Sequence, residues 1–169
     1  TNHYDRAYIH EDYTAIVLKK ELCLINHNMK ELVWKKNTGW MGANIVFEGD
    51  RMYYVADNFL QSVSCTSGES DWKKGFGHQV RSISIDNGVL AFSSYRETAD
   101  DLYPSYSNQM HLVAKDRGEE MYRNADPLNA GIEVLDDLNR GLSLASLLED
   151  NTLYGADHHN FMALSLSKN

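Results

Sequence analysis

Cysteine, proline and long apolar runs are all scarce in this chain. Only two cysteines, Cys23 and Cys65, occur in 169 residues, and neither lies in a CxxC or other metal-ligand spacing. That argues against a disulfide framework and against a structural zinc site. Each sits in an apolar alternation, "ELCLI" and "QSVSC", where a buried free thiol is the ordinary outcome. No run approaches the roughly 18 apolar residues of a membrane-spanning helix. No basic segment followed by an apolar one opens the chain as a secretion signal would. Thr1 is the kind of small residue exposed when an initiator Met is trimmed, so a near-complete cytoplasmic protein is expected. Basic residues are outnumbered, with 16 Lys+Arg against 24 Asp+Glu and a formal net charge of −8. Such a balance disfavours a nucleic-acid backbone binder, which has to neutralise phosphates, and suits a basic partner, whose opposite field speeds encounter.

What is present is apolar and aromatic material in short, repeated phrases. With 43% hydrophobic and 11% aromatic residues the chain can bury a core as one domain or two very small ones. "MYYVADNFLQSV" at residues 52–63 and "LYGADHHNFMAL" at residues 153–164 are close variants of one phrase. "ELVWKKNTG" at 31–39 and "ESDWKKGFG" at 69–77 share Glu, Trp-Lys-Lys and Gly at a constant offset of 38. Carrying that offset forward sets Ile45-Val46-Phe47 against Ile83-Ser84-Ile85, and the turns "EGD" and "DNG" then nearly coincide. Self-similarity at such a period is the mark of a repeat architecture.

Each unit reads as short strands. "ANIVF", "RMYYVA", "FLQSVSC" and "SDWKKG" are separated by "EGD", "DN" and "TSGE", where Gly, Asn and Asp provide the backbone conformations that tight turns need. The next unit reads "RSISI", "VLAFSSY", "QMHLVAK" and "EMYRN"; the last reads "GLSLASLL", "TLYGA" and "FMALSLS"; the first is compressed into "YTAIVL", "LCLIN" and "ELVWKK". Four strands per unit of about 40 residues is a propeller-blade pattern. "YYVADNFLQSVSCTSGESDWKK" resembles the blades of the WD-repeat and quinoprotein (PQQ-type) propellers, over residues 13–95 and 142–167. The resemblance implies an all-β fold, a small β-propeller-like or half-propeller arrangement of about four antiparallel β-blades with one inserted loop. The approximate units are 8–39, 40–78, 79–124 and 125–169 of a single β-repeat domain. The last unit lacks its Trp strand, and the first lacks a clear outer segment unless "RAYIHEDY" supplies one. Either the N-terminal strand completes the last blade or the arrangement is an open half-ring, whose exposed strand edges favour a homodimer or a bound partner.

Two stretches break the pattern: "RETADDLYPSYSN" (96–108), read as an inserted loop, and "ADPLNAGIEVLDDLNRG" (125–141), read as a connection. Loops on a rigid β scaffold are where binding residues concentrate. The first holds Glu97, Asp100, Asp101, Tyr103 and Tyr106 and follows directly on Tyr95. Tyrosines give contact area at low entropy cost, and the carboxylates mimic phosphates in a basic active site. These six residues are the candidate partner-binding site.

Catalytic patterns are lacking. There is no GxSxG, HExxH, phosphate-binding Gly loop or EF-hand pattern. His158-His159 is the one histidine pair, but it stands in a turn, and neighbours on a strand point to opposite faces. The acidic doublets read as solvated faces rather than as a glycosidase pair. Trp34 and Trp72 recur at the repeat period, which assigns them to packing between neighbouring blades rather than to stacking on ligands. No enzyme activity, metal or cofactor is expected. The expected function is a non-enzymatic inhibitor or immunity-type protein that neutralises a basic partner, such as a nuclease toxin domain, by covering its active site. Three rivals stay open. One is a lectin-like propeller using Asp57-Asn58-Phe59 and Asp157…Asn160-Phe161 as equivalent pockets. Another is a small hydrolase built on His111, His158 or His159. The third is a fragment of a larger propeller.

Overall fold

The computed structural model describes residues 6–76, 79–98, 105–125, 145–150, 152–156 and 161–165. Fifteen strands account for nearly all of it, and no helix occurs among the described residues. The strands form consecutive antiparallel meanders. The first sheet comprises β1 (Arg6–His10), β2 (Tyr13–Leu18), β3 (Glu21–Asn26) and β4 (Glu31–Asn37). The second comprises β5 (Val46–Glu48), β6 (Arg51–Ala56), β7 (Phe59–Ser64) and β8 (Ser70–Gly75). The third holds β9 (Gln79–Asp86), β10 (Val89–Thr98), β11 (Ser105–Ala114) and β12 (Glu120–Ala125), and the fourth holds β13 (Ala145–Glu149), β14 (Thr152–Ala156) and β15 (Phe161–Ser165). The chain divides into two compact units, residues 1–75 with the first two sheets and residues 76–169 with the last two.

The repeat is written in the turns. A two-residue turn joins the first pair of strands in every sheet, closing His10↔Tyr13, Glu48↔Arg51, Asp86↔Val89 and Glu149↔Thr152. Glu11, Gly49, Asn87, Gly88 and Asp150 in these turns have positive φ, the conformation that lets a two-residue loop follow the strand twist. The third turn recurs as well. Ser64 N–H donates to the Glu69 carbonyl and Gly68 N–H to the Ser64 carbonyl, both at 2.9 Å; Ala114, Glu119 and Gly118 make the same two bonds at 2.9 Å. Lys30, with φ 57, holds the place of Gly68 and Gly118 in the first sheet.

A bulge follows at one equivalent point in three sheets. Register slips between Leu24 and Ile25, between Ser62 and Val63, and between Leu112 and Val113, leaving Val33, Asp71 and Met121 as the extra residue opposite. Just beyond it Leu24 pairs with Trp34, Ser62 with Trp72 and Leu112 with Tyr122. A bulge re-aims the strand that carries it, and here it sets an aromatic residue at one register point of the fourth strand in each of these sheets.

In the first unit the two sheets bury their facing surfaces. Ala15, Val17, Leu22 and Leu24 of the first sheet form one cluster with Met52, Tyr54, Ala56, Val63 and Cys65 of the second. Burying a side chain of this size contributes about 1.5–3 kcal/mol. Trp34 fastens the contact: its indole Nε1–H donates to the Cys65 carbonyl at 2.8 Å, and its ring lies over Gly68, where a Cβ would stand 3.0 Å away. The expected packing role of Trp34 between neighbouring sheets is what is observed.

Of the places left open for the N-terminal strand, "RAYIH" takes the first sheet, paired with β2. Two expectations change. "ANIVF" yields only Val46–Glu48 as strand. The expected loop at 96–108 is in large part strand: β10 and β11 are ten residues each and pair as far as Thr98↔Ser105. The connection at 126–141 lies outside the described residues. In the fourth sheet three strands are described.

Candidate functional site

The repeat gives a measure of what the third sheet adds. In the second sheet the β6–β7 hairpin closes at Ala56↔Phe59. The equivalent pair in the third sheet is Ser94↔Gln109, and there the hairpin continues through Tyr95↔Asn108, Arg96↔Ser107, Glu97↔Tyr106 and Thr98↔Ser105. Four added pairs carry the ribbon roughly 13 Å further. Polar Ser, Thr and Asn extend easily as strand once a partner strand supplies the ladder, which explains why a stretch without apolar alternation forms one. The end of β12 lies at the same end of the sheet, since Gln109 pairs with Ala125. Both stretches that break the sequence repeat therefore leave the third sheet from one end.

Of the predicted binding residues, Tyr95 and Glu97 fall on β10 and Tyr106 on β11. Glu97 is registered directly opposite Tyr106, and Tyr95, two positions from Glu97, takes the same face of the ribbon by strand alternation. Asp100, Asp101 and Tyr103 lie outside the described residues, as do His158 and His159.

Beneath the extension lies a polar network that sequence reasoning did not assemble. His111 Nε2 and Ser94 Oγ are hydrogen bonded at 2.7 Å, and His111 Nδ1 pairs with Glu120 Oε1 at 2.6 Å. The imidazole stacks on Phe92 at 4.7 Å and meets the edge of Phe76 at 5.4 Å. Three strands thus contribute one residue each. The bulge decides which residue of β12 reaches the histidine: Glu120 pairs with Val113 on the His111 face, while the extra residue Met121 stands exposed. The connectivity is that of a nucleophile, a base and an orienting carboxylate. Yet His111 is 0% and Ser94 1% exposed. A substrate carbonyl has to come within about 3 Å of the nucleophile, and the packed Oγ leaves no room for one. The chemistry this network performs is to satisfy buried polar groups at the base of the long hairpin, whose cost unpaired is about 1–3 kcal/mol each. A rising Ser-Ser pair before the insertion and a lone His on the opposite strand were the only signals in the sequence.

The lectin positions resolve differently. Asp57 and Asn58 form the β6–β7 turn with φ 48 and 66. The Asp57 carboxylate accepts the Trp40 N–H at 2.9 Å, and the Asp57 N–H donates to the Trp40 carbonyl at 2.9 Å. A methyl on Gly39 would run into that carboxylate. Asp57 therefore ties the turn to the segment that follows β4, with its Oδ1 committed to the Trp40 N–H. Phe59 is partly exposed beside Lys73, whose Nζ lies 4.5 Å from the ring centre. Among the described residues no group of three His, Cys, Asp or Glu side chains is placed to hold a metal, and no helix is long and apolar enough to cross a membrane.

No family model and no curated protein sequence matches the chain. Solved structures do. The chain is similar to BamB from Moraxella catarrhalis, with TM-score 0.61, 14% identity, and coverage of 87% of this chain and 44% of that one. It is similar to the WD40 domain of Neurospora crassa Pan2, with TM-score 0.61, 8% identity, and coverage of 92% of this chain and 44% of that one. Quinohemoprotein alcohol dehydrogenase from Comamonas testosteroni matches at TM-score 0.50 and 11% identity, over 69% of this chain and 20% of that one. The chain thus spans less than half the length of each. Identities this low speak for architecture alone. The chain is a repeat of propeller-type β-blades, as its resemblance to WD-repeat and quinoprotein blades implied.

Proposed function

We propose that the chain is a non-enzymatic protein-binding module whose β10–β11 hairpin engages a basic partner and covers that partner's active site, as an inhibitor or immunity protein does for a nuclease-type toxin. The observation that carries this reading is the four-pair extension of one hairpin beyond the length its repeat prescribes. A ribbon paired along its length is stiffer than a loop, so presenting Tyr95, Glu97 and Tyr106 on it costs less ordering entropy on binding. The net charge of −8 and the carboxylates Asp100 and Asp101, which the sequence sets between β10 and β11, would steer a basic partner toward it.

The test begins with the immobilised protein as bait at low and then high salt. A stoichiometric basic protein retained at low salt is the expected product. Asp100→Lys with Asp101→Lys should then slow its association and flatten the salt dependence while leaving the thermal midpoint unchanged. Association that is indifferent to both substitutions would remove the hairpin from the interface.

A further inference from the structure

The polar network under the long hairpin has no counterpart in the two sheets before it. Its three positions are fixed by register. Phe92↔His111 corresponds to Tyr54↔Gln61 and Ile16↔Cys23, and Val113↔Glu120 to Val63↔Ser70 and Ile25↔Leu32. Ser94 stands where the second sheet has Ala56 and the first Leu18, each in the last pair before its turn. The first sheet thus holds Leu18, Cys23 and Leu32 at these places, and the second Ala56, Gln61 and Ser70. Ser70 directs its hydroxyl to the carbonyls of Ser62 and Trp72, at 3.3 and 3.1 Å. In the third sheet the same places are tied to one another, Ser94 to His111 at 2.7 Å and His111 to Glu120 at 2.6 Å.

The third sheet is also the one whose hairpin runs on. In the first two the strands stop at Leu18↔Glu21 and Ala56↔Phe59; in the third, pairing continues past Ser94↔Gln109 to Thr98↔Ser105. Network and extension meet at Ser94. Among the described residues, β9 accompanies β10 as far as Tyr95, and β12 accompanies β11 as far as Gln109. Past those points the two arms of the ribbon are paired with each other alone. A lone two-stranded ribbon is marginal in water, so its order and direction are decided at its root. Apolar burial at the root would be non-directional. Hydrogen bonds have preferred angles, and a connected set fixes several strands at once. His111 on β11 reaches Ser94 on β10 and Glu120 on β12, with its ring held against Phe92 and Phe76.

We propose that Ser94, His111 and Glu120 are positioning residues for the β10–β11 hairpin: the network aims the ribbon and keeps it ordered, beyond its share in the stability of the third sheet. The inference rests on the hairpin reading only for what is presented, the face with Tyr95, Glu97 and Tyr106. The order of the ribbon itself is measurable without a partner.

Amide hydrogen exchange of the full chain, followed residue by residue by nuclear magnetic resonance, tests the proposal. Ser94→Ala installs the residue that the second sheet has at Ala56. It should speed exchange in the stretches 96–98 and 105–107 by roughly tenfold or more. Exchange at 90–92 of the same strand should change much less, and that at 52–55 of the second sheet not at all. Glu120→Ala should act in the same direction, whereas Glu120→Gln, whose amide oxygen still accepts from His111 Nδ1–H, should keep the slow exchange. A role confined to stability would raise exchange by one factor at 90–92 and 96–98 alike, and that result overturns the proposal. So would an extension whose protection none of the variants changes, or a Glu120→Gln variant that exchanges as fast as Glu120→Ala. Capture of a basic protein does not enter these rates, so failure of the hairpin reading and failure of this one are separable.

Discussion

Asp57 shows how one residue can set a turn and a linker together. It sits at φ 48 with its carboxylate on the Trp40 N–H, and Gly39, at φ 75, leaves that carboxylate its space. Gly39→Ala should cost about 1–3 kcal/mol, part steric and part backbone strain. Asp57→Ala should cost about 1 kcal/mol for the lost charge-assisted hydrogen bond, which is exposed. In the double variant the collision is gone, so urea unfolding should give a loss smaller than the sum; strict additivity would refute the contact. A second residue-scale consequence concerns alkali. Burial pushes the Tyr54 hydroxyl from 10.0 up to about 12 and the Cys65 thiol from 9.0 up to about 12. Each group is neutral when protonated, and the fold favours that neutral form. The resulting stability is complete below pH 9 and drains away as pH rises through the window from 9 to 12. Denaturant midpoints measured along that window should fall; a level profile would mean that neither group is held as described. By the same account the buried Cys65 thiol should resist alkylation until the protein unfolds.

Between elements, the outcome turns on register. Truncating His111 to Ala removes the partner of both Ser94 and Glu120 and opens a cavity under Phe92, for a loss of about 3 kcal/mol or more. Trp34→Phe keeps the ring over Gly68 and forfeits the bond to Cys65, for about 1 kcal/mol. Thermal unfolding of the two variants should rank them in that order, and the reverse would misplace the main polar brace. The period of 38 was readable because its markers are local: a Trp-Lys-Lys strand and turns that need Gly, Asn or Asp. Strand edges were readable where apolar alternation was strong, as in "RMYYVA" and "FLQSVS". The hairpin extension reads as a loop in the sequence because Thr98, Ser105 and Ser107 carry no apolar phase, and only the partner strand makes them a ladder. The place of β1 stays open in the sequence, between the first unit and the last, because "RAYIH" has no turn signal before it. The Ser94–His111–Glu120 network was out of reach for a different reason. Its members lie 17 and 9 residues apart, and which β12 residue faces His111 depends on a bulge that no residue type announces.

For the whole molecule, the acidic surplus would set how quickly the proposed basic partner arrives and how sharply salt delays it. The lengthened hairpin has a further consequence. Its added pairs number four, an even count, so the pleat has the same phase at the tip as at the base. Removing or adding two pairs would lower or raise the tip by roughly 7 Å without turning it over, whereas a single pair would present the opposite face. Height and face of the hairpin are therefore independent settings, and variants of graded length would measure how deep the proposed contact reaches.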